Sequence, residues 1–255
     1  MRETNELENS TTPRRRRPLV VVAILAALAV AAVAVVYLSF FNDDAPPPLA
    51  LSDQPATTLA PGAASATPTI ASSTTDIVGT WRVATGSTAG YRVREKLAAL
   101  PAKSDAVGRS PAVTGSVKVE RSGGSLVASD ANFEVDLTKL ASDESRRDNR
   151  IRTDGLQTNQ FPKATFVTTK PVTLPAEAAS GQTVKASAEG NLTLHGVTKL
   201  VTIPLDVRVA DGKGELVGSL GFPMSDFDIN PPNIAGFVTV DPDATLEVKL
   251  VLEKG

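Results

Sequence analysis

No cysteine occurs in the chain, which excludes disulfides, thiolate metal ligands and cysteine nucleophiles. Histidine is nearly absent too. The single one, His195, precedes Gly196 at an expected hairpin turn, and reads as an exposed turn residue without the partners a general base needs. No Gly-x-Ser-x-Gly elbow, His-Glu-x-x-His zinc motif or phosphate-binding glycine loop is present. Asp226 and Asp228 form the one carboxylate pair that hydrolysis could use. They alternate with Ser225 and Phe227, however, as a solvated strand face or loop would. Aromatics are sparse, with eight among residues 77–255. An excess charge of one sign is also missing there, because 21 basic residues face 21 acidic ones. Such a balance provides no broad field for nucleic acid. The chain reads as a non-enzyme, with no catalytic residue and no metal site.

What is present begins with 23 consecutive uncharged residues, Leu19 to Phe41, between Arg14-Arg15-Arg16-Arg17 and Asp43-Asp44. As a helix they would reach roughly 34 Å, against a hydrocarbon core of about 30 Å. Arginines on one flank and acids on the other predict a span with residues 1–18 cytoplasmic and the remainder outside. The run is longer than the apolar core of a cleaved signal peptide. Residues 42–76 follow, of which 24 are Ala, Thr, Pro or Ser. That composition cannot offset its ordering entropy and predicts a disordered tether.

From residue 77 to 255 the hydrophobic period becomes two. Val201, Ile203, Leu205, Val207 and Val209 alternate with polar residues, as do Leu246, Val248, Leu250 and Leu252. Val127, Ala131, Phe133, Val135 and Leu137 are expected to share a face. Further alternating runs lie near 91–93, 113–119, 164–169, 186–194 and 216–222, about eight strands in all. Ser122-Gly123-Gly124, His195-Gly196 and Asp211-Gly212 supply hairpin turns. Antiparallel strands in that number must close into a barrel or split into a sandwich. Pro204 argues for an edge or bulge. Ser142 to about Asn149 predicts one short helix with an Asp143–Arg147 ion pair on its surface. Arg92, Arg94 and Lys96 are expected to point outward. An eight-stranded interior is either filled by side chains or holds one small ligand, and the pattern alone leaves both open.

Several blocks in register carry a resemblance: Gly90-Tyr91-Arg92-Val93, Val113-Thr114-Gly115, Ser145-Arg146-Arg147-Asp148-Asn149 with Phe161-Pro162-Lys163-Ala164-Thr165-Phe166, and Gly190 to Lys199. In these the chain resembles the YceI-like, polyisoprenoid-binding domain family over about Gly79 to Glu253. The resemblance implies an all-β, lipocalin-like, extended eight-stranded antiparallel barrel, exported by bacteria. It also implies an isoprenoid or quinone-tail lipid as the bound partner, with no other cofactor and no catalytic residues. The basic Tyr91-Arg92-Val93-Arg94-Glu95-Lys96 departs from relatives that carry an aromatic-rich segment ending in His, which leaves the head group open. The parity of the strands makes Tyr91, Val93, Phe133, Val135, Phe166, Leu192, Leu194, Leu220 and Phe222 the candidate lining. The expected protein is a membrane-anchored, extracytoplasmic lipid-binding barrel; the alternative is a ligand-free cell-envelope interaction module on the same scaffold.

Overall fold

Alternating side chains and tight glycine turns resolve into strands β1 (Gly79–Val83), β2 (Thr88–Leu97), β3 (Lys103–Ser110), β4 (Val113–Ser122) and β5 (Ser125–Asp136), then helix α1 (Ser145–Arg150). There follow β6 (Lys163–Thr168), β7 (Val172–Leu174), β8 (Val184–Leu194), β9 (Val197–Ala210), β10 (Lys213–Pro223), β11 (Asn233–Ile234) and β12 (Val238–Lys254). The structure is a computed structural model, and it describes residues 45–52, 77–97, 103–234 and 238–255.

Eight strands close a ring in the order β1-β4-β5-β6-β8-β9-β10-β12, and β12 pairs back onto β1. Every pairing is antiparallel. Two turns have the positive φ that matches strand twist: His195 and Gly196 (51° and 78°), and Asp211 and Gly212 (53° and 75°). Gly196 is required for a second reason, since a Cβ there would come within 2.6 Å of the Phe161 ring.

Both β1 and β2 run along β12, first as Val83↔Leu252 and then as Thr88↔Lys249. Ser87 bridges the break between them: its Oγ lies 2.8 Å from the Ala84 carbonyl and accepts the Val251 N–H at 2.9 Å. β3 flanks β2 in the same way as β4 flanks β1. Along that edge of β12 the wall thus passes from the β1–β4 pair to the β2–β3 pair, and an Arg109↔Ala141 bridge ties β3 to the chain that follows β5.

Three expectations change on contact with the backbone. Leu126 and Ala128, rather than Val127, join the core cluster that holds Ala131 and Phe133. A bulge causes this: Asp130 has φ 52°, and the β4–β5 register shifts between Ser116 and Lys118. One extra residue reverses the face of everything before it. The helix begins at Ser145 and not Ser142, because Glu144 is the cap and accepts the Arg146 N–H at 3.0 Å. Ser142 instead donates its Oγ to Asp148 Oδ1 at 2.6 Å. Finally, Ala45–Ser52, part of the expected tether, lies against the barrel's outer wall, with Arg92 donating to the Pro46 carbonyl at 2.7 Å.

Pro204 fits its expectation. Pairing between β9 and β10 starts at Leu205↔Gly218, so the part of β9 up to Pro204 has β8 as its ladder partner. Among the described residues no helix is long and apolar enough to cross a membrane. The expected span Leu19–Phe41, and residues 53–76 of the expected tether, lie outside the described residues.

Candidate ligand-binding lumen

Inner positions of an eight-stranded barrel can be filled or left vacant according to side-chain size. Here many are small: Ala89, Ala106, Ala131, Ala164, Ala188 and Ala244 are all buried. The space they leave forms two adjoining cavities, with Ala89, Val135, Ala164 and Leu246 bordering both.

The inner cavity, 170 Å³, lies over a floor of large apolar groups that includes Trp81, Leu126, Val207 and Leu250. Trp81 is fixed by its indole N–H, which donates to the Ile77 carbonyl at 2.9 Å. Phe133, Phe166 and Leu192 line this chamber. The outer cavity, 920 Å³, is within the range of small-molecule sites. Tyr91, Val93, Leu194 and Phe222 border it, and Val135 borders both. Of the sequence-derived candidates, Leu220 alone borders neither; it packs with Met224 and Phe227 in the cluster around the mouth.

The helical stretch that links β5 to β6 covers the mouth. Leu137, Leu140, Ile151 and Leu156 present apolar groups to the outer cavity. Arg147 on α1 reaches down to Glu95, with Nη2 and Oε1 at 2.6 Å, and also pairs with Asp143. Burial alone would lower the Arg147 guanidinium, but its bond to Glu95 and the charges of Glu95 and Asp143 outweigh that and hold it above the usual arginine value. Glu95 is 8 % exposed and sits on the same strand face as Tyr91 and Val93. The basic look of 91–96 concealed this acid: Arg92, Arg94 and Lys96 take the outer positions, and Glu95 falls on the inner ones. From the sequence, Arg147 is expected to be a surface ion-pair residue. It does pair with Asp143, yet it also ties the helix to the barrel.

Tyr91 is the polar group left free inside. Its Oη is buried without a hydrogen-bond partner. Burial pushes the phenol well above its ordinary value, against the lowering effect of Arg147, so it stays a neutral O–H donor at physiological pH. Its ring lies over Gly108, where a Cβ would come within 2.3 Å of it. Only a glycine on the neighbouring strand admits the tyrosine in this place. The lumen is thus an apolar tube with the Tyr91 donor inside and a mouth rimmed by charged groups, among them Arg147, paired with Glu95 and Asp143, and Arg150, paired with Asp154.

The remaining candidates sit elsewhere. His195 is buried, not exposed as expected: Nδ1 lies 3.0 Å from the Phe227 carbonyl and Phe161 packs edge-on at 4.6 Å. The ring is enclosed because the chain after β10 folds back over the β8–β9 turn, a long-range contact that the dipeptide His-Gly does not encode. Asp226 pairs with Lys199 at 2.9 Å in an exposed turn. Asp228 adopts φ 53° at the end of that turn. Among the described residues no three His, Asp or Glu side chains gather as a metal site.

Comparison with known proteins bears on this geometry. Residues 81–252 match the model of the YceI-like domain. A UPF0312 protein of Vibrio parahaemolyticus is 33% identical over 123 residues, which are 46% of this chain and 61% of that one. One from Vibrio campbellii is 32% identical over the same length. The aligned part of the chain thus spans 61% of the length of these relatives. A solved structure of a polyisoprenoid binding domain from Saccharophagus degradans superposes with TM-score 0.51 at 18% identity, covering 70% of this chain and 99% of that one. At that identity the likeness is one of fold.

Proposed function

From the chain's membership of the YceI-like domain family, we propose that its barrel holds a long apolar chain, isoprenoid or similar lipid, in the lumen. The role is transport, storage or sequestration without catalysis. The observation that carries this reading is the unfilled apolar space behind Ala89, Ala106, Ala164 and Ala244, running from the mouth to the floor. A ligand-free scaffold would have those positions plugged by bulky or polar side chains. The fold neighbour described as polyisoprenoid binding supports the same ligand class. Burial of the tail drives binding at about 0.8 kcal/mol per methylene, so affinity grows with tail length. The head group stays at the mouth beside Tyr91. The Arg147 charge there is matched by Glu95 and Asp143, Arg146 borders the same mouth, and together with the Tyr91 hydroxyl they favour a head that accepts hydrogen bonds.

Leu19–Phe41 and its flanking arginines support single-pass anchoring, with the barrel outside the cell membrane. Mass spectrometry of organic extracts of the purified protein is expected to yield about one isoprenoid lipid per chain. Repeated recovery of folded, lipid-free protein from a lipid-containing host, with no uptake of added isoprenoids, would overturn the lumen assignment. Anchoring is tested separately: the full chain stays with membranes through an alkaline wash, and quantitative release as a shortened soluble form would refute it.

A further inference from the structure

We propose that the outer face of β2, β3, β9, β10 and β12 is a binding site for an extended, proline-rich peptide, and that residues Ala45–Ser52 are its resident ligand. Pro46-Pro47-Pro48 fixes φ near −65° and pushes each preceding residue into the extended region, which favours polyproline II. That conformation makes no internal hydrogen bonds, so its carbonyls are free acceptors, while proline has no N–H with which to join a sheet edge. A guanidinium is a donor only. Arginine is therefore the fitting partner, and arginines are what the wall presents.

Arg92 donates Nη2 to the Pro46 carbonyl at 2.7 Å, and Arg109 donates Nη2 to that of Pro47 at 2.6 Å. Arg208 donates Nη2 to the Ser52 carbonyl at 2.7 Å. Ser52 gives its N–H and Oγ to the Glu215 carboxylate, at 3.3 and 2.6 Å, and its Oγ accepts from Lys249 Nζ at 2.9 Å. Between these two anchor points, Pro48 and Leu49 border a groove of 520 Å³ shared with Pro204, Val217 and Thr245. The spans agree. Six polyproline residues from Pro46 to Ser52 cover roughly 19 Å, and the three strand spacings from β2 across β12 and β10 to β9 cover roughly 14 Å.

The receptor side is held in place before the peptide is considered. Arg92 bonds Glu247 through Nε at 2.7 Å and Asp105 through Nη1 at 3.0 Å, and Arg208 bonds Glu215 at 2.6 Å. Charged side chains elsewhere on the outer wall stand in solvent, Lys185 at 88% and Lys213 at 58% exposure. Arg92, Arg208 and Glu247 are at 14, 13 and 5%. Ion pairs fix each guanidinium with one Nη directed at the strap, which lowers the ordering cost of binding.

Hydrogen exchange on the intact chain tests this. The Ser52 amide, which donates to Glu215, is expected to exchange at least tenfold more slowly than in a synthetic peptide of residues 45–52, independently of protein concentration. A full-length variant with Pro46→Ser, Pro47→Ser and Pro48→Ser leaves the barrel untouched and is expected to lose most of that protection. The same peptide, fluorescently labelled, is expected to bind the variant saturably and the unaltered chain at least tenfold more weakly, because there the site is filled. Exchange at the free-peptide rate in the unaltered chain, or equal peptide binding to both proteins, would overturn the site. Protection that rises with protein concentration would place a second copy's segment in the groove and overturn the resident-ligand assignment. Arg109→Ala gives a check from the receptor side, with circular dichroism confirming that the barrel remains folded.

Discussion

The floor and the mouth of this barrel are built from the same alternating strands, yet they are packed to opposite ends. At the floor, Trp81, Leu126, Leu250 and Leu252 interlock, and the void beside them is 170 Å³. At the mouth, where β2 lines the wall, a helical stretch borders the cavity and the space is 920 Å³. Large side chains close one end, while alanines and a charge pair keep the other open. The difference separates two tasks: the floor supplies stability, and the mouth supplies access.

Truncation at the floor should have the largest effect. Leu250→Ala, at 2 % exposure, is expected to cost about 2–5 kcal/mol in denaturant unfolding. Glu95→Ala should come next, at about 2–3 kcal/mol, because it leaves Arg147 largely covered and without its inner partner. Filling variants sharpen the contrast. Ala131→Leu in the floor cluster is expected to destabilise by about 1–3 kcal/mol through overpacking. Ala106→Leu should cost under about 1.5 kcal/mol, since it projects into open space, while lowering lipid content measured by extraction. The smallest change is Tyr91→Phe, which removes a donor that has no partner and is expected to shift stability by less than about 1 kcal/mol. A clear loss of affinity for lipids with an acceptor head, and little loss for headless chains, would place the head group at that oxygen.

The outer wall adds a pH test. Burial alone would raise the Glu215 carboxyl, but its bonds to Ser52 and Arg208 and the charges of Lys249 and Arg208 outweigh this and hold it below the ordinary glutamate value. A depressed folded value means that its contribution is complete above the usual glutamate range and is lost as pH falls through the lower, folded value. Exchange at Ser52 is therefore expected to stay slow through the ordinary glutamate range and to quicken only below it. Quickening already near neutrality would exclude Glu215 as the group responsible.

Much of this was legible in the sequence, and what was not has local reasons. The eight alternating runs all became strands, since period two with one buried face is a strong signal. Asp211-Gly212 and Ser122-Gly123-Gly124 marked their turns. β1 and β3 were missed: β1, which closes the ring against β12, is only five residues long, and Lys103–Ser110 carries small and polar residues whose place is set by β2 alongside. Val127 was assigned to the wrong face because a bulge at Asp130 is a backbone event with no side-chain signature. Glu95 was masked by three basic neighbours of opposite parity. Burial of His195 and docking of Ala45–Ser52 both depend on partners more than 30 residues away. Neither composition nor periodicity records such distances.

One further property follows from β12. This single strand of 17 residues pairs with β1, β2, β10 and β11, so the ring is sealed only when the earliest and latest strands of the domain meet. Contacts so remote in sequence make for slow folding, and until they form the tube is a trough. Loading of cargo during that interval, before the seam is shut, would require no opening of the finished wall. A nick within Val238–Lys254 would unzip the container along its length rather than merely loosen one edge.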